Sequence, residues 1–210
     1  MFTGIVEEIG LVTHAEETDG NTRVHIQANI VTSDAILGDS ISVSGCCLTV
    51  VELSGSGFEV ELSKETIAKT APRWAPGSRV NLERAMSARG RFGGHMVSGH
   101  VDGIGEVTGA SREAGAWVLS VRAPGELDRY LVPKGSVTVD GVSLTVVDVG
   151  GPGGSSTALG SSEFTLWLIP HTLEVTTLGD LEVGSRVNVE ADQVAKYLDR
   201  QRLLDLEVAA

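Results

Sequence analysis

The chain of 210 residues has only two cysteines, Cys46 and Cys47, and they are adjacent. Neighbours on a strand point to opposite faces, so the two are poor partners for a mutual disulfide or for one metal ion. A reduced, cytoplasmic setting is the expectation. Basic side chains are also scarce: 16 Lys and Arg stand against 28 Asp and Glu, giving a net charge of −12. A non-specific nucleic-acid binder needs a basic face to neutralise phosphates, so that class is excluded. No apolar run approaches the roughly 18 residues of a membrane helix. The opening MFTGIVEEIG lacks a basic region and a long apolar stretch, so no secretory signal is expected there. There is no Walker loop, no dinucleotide glycine fingerprint after a strand, no nucleophile elbow and no kinase motif, which removes support for phosphate chemistry.

What the chain does hold is an internal repeat. MFTGIVEEIGLV (1–12) matches MVSGHVDGIGEV (96–107), and ISVSGCCLTVVEL (41–53) matches VTVDGVSLTVVDV (137–149). FEVELSKETIAKT (58–70) then lies on FTLWLIPHTLEVT (164–176), and GSRVNLE (77–83) on GSRVNVE (184–190). The blocks keep their order, and GGPGGSSTALGSSE (150–163) reads as a hairpin loop elongated in the second copy. Two tandem domains are expected, 1–94 and 95–191, with a tail at 192–210. Hydrophobic residues make up 41% of the chain and Gly is frequent at 26, enough for a real core built from short strands between turns. Each copy therefore reads as a small closed all-β barrel. Ser/Asp and Gly signals mark SDAIL (33–37) as a short helical turn, with PGELDRYLV (124–132) in its place in the second copy.

The tail departs from this pattern. Asp192 can cap a helix over 193–208, in which Val194, Tyr197, Gln201, Leu204 and Val208 recur at steps of three and four. The stripe can pack on its own barrel or on a second chain. Because the repeats look complete without it, self-association is the expectation.

Alternation on GCCLTVV sends Cys46, Leu48 and Val50 to one face and Cys47, Thr49 and Val51 to the other. In the second copy Val142, Leu144 and Val146 oppose Ser143, Thr145 and Val147. The apolar face lines the barrel. The other face offers a thiol or hydroxyl and then a hydroxyl, twice, which is ordinary strand polarity in one copy and a candidate ligand surface when repeated. His95 and His100 lack metal spacing to either cysteine and have no third ligand, so no metal site is predicted. His95 reads as a structural hydrogen-bonder. His100 matches apolar Ile5, Cys47 matches Ser143, Glu65 matches His171 and Ser44 matches Asp140. One scaffold with different titratable groups suits two related sites with different tasks. A neutral, polyhydroxylated or heterocyclic ligand suits such surfaces.

MFTGIV at the start, SGCCLTV at 44–50, GGHMVSGHV at 93–101 and DGVSLTV at 140–146 together closely resemble riboflavin synthases of the two-lumazine-binding-domain type, over essentially the whole chain. The resemblance implies two six-stranded Greek-key β-barrels plus a C-terminal α-helix that joins three subunits. It implies dismutation of two 6,7-dimethyl-8-ribityllumazine molecules to riboflavin and 5-amino-6-ribitylaminouracil, without cofactor or metal. It raises association with lumazine synthase. Carried over by motif, the first-copy contacts are Gly4, Ile5, Val6, Cys47, Leu48, Thr49 and the segment Glu61, Leu62, Ser63, Lys64, Glu65 and Thr66. The second-copy contacts are Gly99, His100, Val101, Lys134, Ser143, Leu144, Thr145 and the segment Trp167, Leu168, Ile169, Pro170, His171 and Thr172. His100 is assigned as proton shuttle and Cys47 as nucleophile or relay; Ser143, Thr145 and Lys134 position or polarise the second ring. Phe2 is expected against a bound lumazine. Two positions depart from the resembled pattern: Ser44 stands for Asn, and His171 for Glu. The rival is a non-catalytic lumazine- or flavin-binding protein of the same fold; retention of the opening and the [CS]-Leu-Thr strand in both copies favours the enzyme.

Overall fold

Strands form where apolar and polar residues alternate. β1 (Glu8–Thr18), β2 (Asn21–Gln27), β3 (Ser40–Val43), β4 (Cys46–Ser54), β5 (Gly57–Leu62) and β6 (Arg79–Arg84) close an antiparallel barrel in the order β1-β2-β5-β4-β3-β6. A second barrel repeats this with β7 (Gly103–Glu113), β8 (Ala116–Arg122), β9 (Ser136–Val139), β10 (Val142–Val149), β11 (Glu163–Leu168) and β12 (Arg186–Ala191), ordered β10-β11-β8-β7-β12-β9. This computed structural model describes residues 1–18, 20–113, 115–150 and 162–209. Most of the expected long hairpin loop at 150–163 lies outside the described residues. At its two ends the Gly150 N–H donates to the Glu163 carbonyl at 2.7 Å.

Matching strands carry matching bulges. Register shifts fall between Val12 and His14 and between Val107 and Gly109, and again between Val50 and Glu52 and between Val146 and Asp148. Bulges add the local bend that closing a small barrel requires. Inside, Val24, Ile26, Phe58, Val60 and Leu82 fill the first barrel, and Leu119, Val121, Phe164, Leu166 and Val189 the second, all fully buried. The predicted face of β4 is inward, with Cys46, Leu48 and Val50 buried, while Thr49 and Val51 are exposed.

Short helices follow the fifth strand of each copy. Ser63 caps α1 (Lys64–Lys69), its hydroxyl accepting from Thr66 N, and α2 (Pro170–Val175) starts on proline. The 125–130 turn is a 3₁₀ helix. The expected helical turn at 33–37 is absent. Ile36 and Leu37 stay 66% and 64% exposed, so no buried face offsets the cost of helix nucleation, and Asp39 takes the Ile36 N–H instead. α3 (Gln193–Ala209) forms as expected, with Asp192 accepting from Val194 N at 2.8 Å.

The barrels meet around a pseudo-twofold axis. The Ser44-Gly45 and Asp140-Gly141 hairpin turns have φ of 44°, 84°, 48° and 78° and stand back to back. A Cβ on Gly45 would lie 2.8 Å from Gly141 N, and one on Gly141 2.6 Å from Gly45 N, so glycine is required twice. Asn81 donates to the Asp140 carbonyl at 2.9 Å, and Asn188 donates to the Ser44 carbonyl at 2.8 Å. Their side-chain oxygens accept from Thr177 N and Ala71 N respectively. Ser44 fits its turn because its hydroxyl accepts from Asn81 N at 3.1 Å. Asp140 accepts from Asn188 N at 2.9 Å and pairs with Arg73 across the seam. Burial pushes the Asp140 carboxyl up to about 6, against the opposing pull of Arg73 and the Asn188 N–H.

Candidate functional site

The opening segments cross over. Phe2 and Val97 bridge antiparallel, with N–H to carbonyl distances of 2.8 and 3.1 Å, so the two openings lie side by side between the barrels. Each then lies on the other barrel's strand. Cys47 N donates to the Gly99 carbonyl at 2.8 Å, and Ser143 N donates to the Gly4 carbonyl at 2.7 Å. Val101 packs on the first core and Val6 on the second. This exchange corrects the expected grouping: Gly99, His100 and Val101 belong with Cys47, while Gly4, Ile5 and Val6 belong with Ser143. Duplication made the two assignments look alike in sequence, and only the hydrogen bonds across the seam distinguish them.

Two buried glutamates anchor the crossing. Glu83 accepts from Thr3 N, Thr3 Oγ1 and Gly4 N at 2.7 to 2.9 Å. Glu190 accepts from Ser98 N, Ser98 Oγ and Gly99 N at 2.6 to 3.0 Å. Desolvation raises the Glu83 pKa, against the lowering effect of the Thr3 and Gly4 bonds. Both glycines are forced. Gly4 and Gly99 have φ of 76° and 80°, and a Cβ would lie 2.6 Å from Ser143 Cβ or 2.7 Å from Cys47 Cβ.

Cleft 1, of about 280 Å³, is lined by Cys47, by Ser63, Glu65 and Thr66 at the start of α1, and by Gly99, His100 and Val101. His100 and Cys47 also line an adjoining cavity of about 300 Å³ that reaches Gln193 of α3. Cys46, its thiol pushed up to about 12 by burial, faces the core and is chemically inert beside half-buried Cys47. Thr49 is exposed further along the strand, as are Glu61 and Lys64. Leu48 and Leu62 point into the barrel and offer a ligand backbone only.

Around Ser143 the second set assembles with a partner that sequence reading missed. His95 Nδ1 and Ser143 Oγ are 2.7 Å apart, and His95 N donates to the Thr3 carbonyl at 3.1 Å. Desolvation lowers the His95 pKa, opposed by Asp192. A neutral imidazole there can accept the Ser143 proton. Gly94 permits this approach: a Cβ would stand 2.2 Å from the Thr3 carbonyl oxygen and 2.6 Å from Ser143 Cβ. Nothing in the spacing links residues 95 and 143, although two glycines before a histidine were a signal of close backbone approach. Thr145, Trp167, Ile169, Pro170 and His171 are exposed and Thr172 is half-buried, while Leu144 and Leu168 face the core. Lys134 is exposed, with its backbone at φ 68°. Its N–H reaches the Val146 carbonyl just as Gly38 N reaches Val50. Phe2, expected against a ligand, is instead fully buried, its ring under the Gly99 turn, where a Cβ would lie 2.9 Å from it. Among the described residues no three His, Cys, Asp or Glu side chains gather as metal ligands. No helix among them is long and apolar enough to cross a membrane.

A family model for the lumazine binding domain matches the chain twice, at residues 3–85 and 98–192. The riboflavin synthase of Bacillus amyloliquefaciens is 46% identical over 201 residues, covering 95% of this chain and 89% of the relative. That of Photobacterium phosphoreum is 42% identical, covering 98% and 90%. That of Mycobacterium tuberculosis strain H37Rv is 46% identical, covering 95% and 97%. A solved structure of LumP complexed with riboflavin superposes with a TM-score of 0.78 at 25% identity, over 91% of this chain and 99% of that one. With both barrels matched by one family model and such identity along nearly the whole chain, the protein belongs to the riboflavin synthase family built from two lumazine-binding domains.

Proposed function

We infer that this chain is itself a riboflavin synthase, converting two molecules of 6,7-dimethyl-8-ribityllumazine into riboflavin and 5-amino-6-ribitylaminouracil by transfer of a four-carbon unit. The observation that carries this reading is the crossed opening. It builds two surfaces of one design from one chain and gives them different reactive groups: Cys47 with His100 in cleft 1, and Ser143 with His95 on the opposite side of the seam. A reaction between two copies of one substrate needs two like seats with unlike chemistry. Holding both rings in place removes much of the entropic barrier of a bimolecular step, several kcal/mol or more.

The roles follow from the groups. Neutral His95 takes the Ser143 hydroxyl proton, making Ser143 the nucleophile or relay on the second ring. Lys134 and Thr145 polarise and orient that ring. His100 moves protons at the first ring's acidic methyl, with Cys47 beside it as nucleophile or relay. The ribityl chains are read by the exposed polar ends of α1 and α2. We further propose a homotrimer whose working site pairs cleft 1 of one subunit with the Ser143–His95 surface of the next. Val194, Tyr197 and Leu198 on α3 are 54%, 69% and 66% exposed, an apolar face that a second copy of the helix would cover. The free cysteines support a cytoplasmic, reducing setting.

The test is to supply the lumazine alone and follow riboflavin formation by absorbance. Binding without turnover would make the protein a carrier. For the shared site, a variant dead in cleft 1 (Cys47→Ala with His100→Ala) is co-expressed with one dead at the Ser143–His95 surface (His95→Ala with Ser143→Ala). Recovered activity supports a site between subunits; none, with mixed trimers confirmed by mass spectrometry, overturns it.

A further inference from the structure

α3 does for the second barrel what one arginine does for the first. By the repeat, Glu7 matches Asp102 and Arg84 matches Ala191. Each carboxylate accepts the backbone N–H of its counterpart: Arg84 N to Glu7 at 2.7 Å, and Ala191 N to Asp102 at 2.8 Å. In the first barrel Arg84 adds its guanidinium, which reaches Glu7 at 3.0 Å and Asp34 at 2.6 Å. That side chain ties the end of the opening to the turn at 33–37. In the second barrel position 191 is alanine and offers no charge.

The missing cation comes from the tail. Lys196 Nζ stands 2.7 Å from Asp102, and their side chains are only 20% and 22% exposed. One turn on, Asp199 meets Arg129 at 3.2 Å and Tyr130 Oη at 3.5 Å, on the 3₁₀ turn in the equivalent place. Residues three apart share a helix face, so Lys196 and Asp199 bridge opening and turn together. Partial burial of both partners makes the Lys196–Asp102 pair stronger than an exposed one. Asp102 lies two residues beyond His100 on the same extended segment.

We propose that Lys196 is a positioning residue for cleft 1: through Asp102 it fixes the segment that carries His100, so that this cleft is complete only with α3 docked. This rests on the reading that His100 works in cleft 1, as set out under the proposed function. Any event that lifts α3, including loss of the assembly it builds, therefore loosens His100 while leaving the barrels intact.

The comparison is Lys196→Met with Lys196→Arg, both good helix formers, in the full chain. Lys196→Met should lower kcat roughly tenfold, the scale of one lost charge-assisted hydrogen bond, with KM for the lumazine within about twofold. Lys196→Arg should restore most of the rate. The imidazole NMR signal of His100, assigned with His100→Gln, should shift or broaden in Lys196→Met while those of His14 and His25, on β1 and β2 of the first barrel, stay. Light scattering should give the same assembly for all three proteins. A His100 signal and kcat unchanged in Lys196→Met, or no recovery with Arg, overturns the proposal. If the wild type makes no riboflavin, the reaction assignment fails, and the His100 signal still decides whether Lys196 holds the segment.

Discussion

Gly99→Ala should separate the cost of a backbone conformation from the cost of a contact. Gly99 sits at φ 80°, and an added Cβ would lie 2.7 Å from Cys47 Cβ, 2.9 Å from the Phe2 ring and 3.1 Å from Cys47 N. A left-handed alanine costs about 1–2 kcal/mol. Overpacking against a buried ring and a hydrogen-bonded strand adds about 1–3 kcal/mol. Gly77 has φ 92° and nothing within 4 Å of its virtual Cβ, so Gly77→Ala meets only the first cost. Urea unfolding followed by tryptophan fluorescence should therefore place Gly99→Ala about 1–3 kcal/mol below Gly77→Ala. The same change pushes the Gly99 carbonyl off Cys47 N and so opens cleft 1 while sparing the Ser143–His95 surface. Lumazine titration should fall from two equivalents per chain to one. Equal stability for the two variants, with two equivalents still bound, would refute both the crossing and its energetics.

Lys134→Gly should raise stability by about 1 kcal/mol by relieving a left-handed lysine, as Gly38 does in the first barrel, while lowering turnover; a melting curve and a rate assay check both. His95→Gln should lower turnover roughly a hundredfold while leaving lumazine binding intact, and wild-type activity should fall with acidity only below pH 6.5, because burial lowers the His95 pKa. The Asp140 carboxyl titrates near 3.8 unfolded and about 6 folded, so the folded state holds the extra proton between those values. Its contribution therefore makes stability fall as pH rises from about 4 to about 6, by about 3 kcal/mol; Asp140→Asn should lose that slope, so the wild-type-minus-variant difference curve should carry it. A flat difference curve would show that Arg73 keeps Asp140 ionised throughout.

The barrels were legible because duplication doubled every signal. Alternation on 46–51 and 142–147 gave the inward face, and Ser-Gly and Asp-Gly gave the hairpin turns. Cys47, His100 and Ser143 were legible as candidates for the same reason, since they stand where the two copies differ. Which opening serves which strand was not. Gly4 lies 43 residues from Cys47 in sequence and yet bonds Ser143, and no periodicity encodes a crossing. His95 was missed because a histidine's role depends on its partner, and Ser143 is brought to it only by the seam. Phe2 was misplaced because an apolar side chain near a site reads the same whether it touches ligand or core. The 33–37 turn carried helix-ending residues but no apolar face for the barrel to bury.

The reciprocal bonding of the seam has the form of an isologous contact, in which each half gives the other what it receives: Gly4 to Ser143 and Gly99 to Cys47, Asn81 to Asp140 and Asn188 to Ser44. Two separate identical chains can make such a contact, but any substitution then appears on both sides at once. Joined in one polypeptide, the halves vary independently. A serine can face an aspartate, an arginine can be exchanged for an alanine and a borrowed lysine, and one seat can take a thiol where the other takes a hydroxyl. Tandem linkage thus frees a symmetric framework to hold unlike partners for like molecules, and the symmetry survives only in the backbone that has to close.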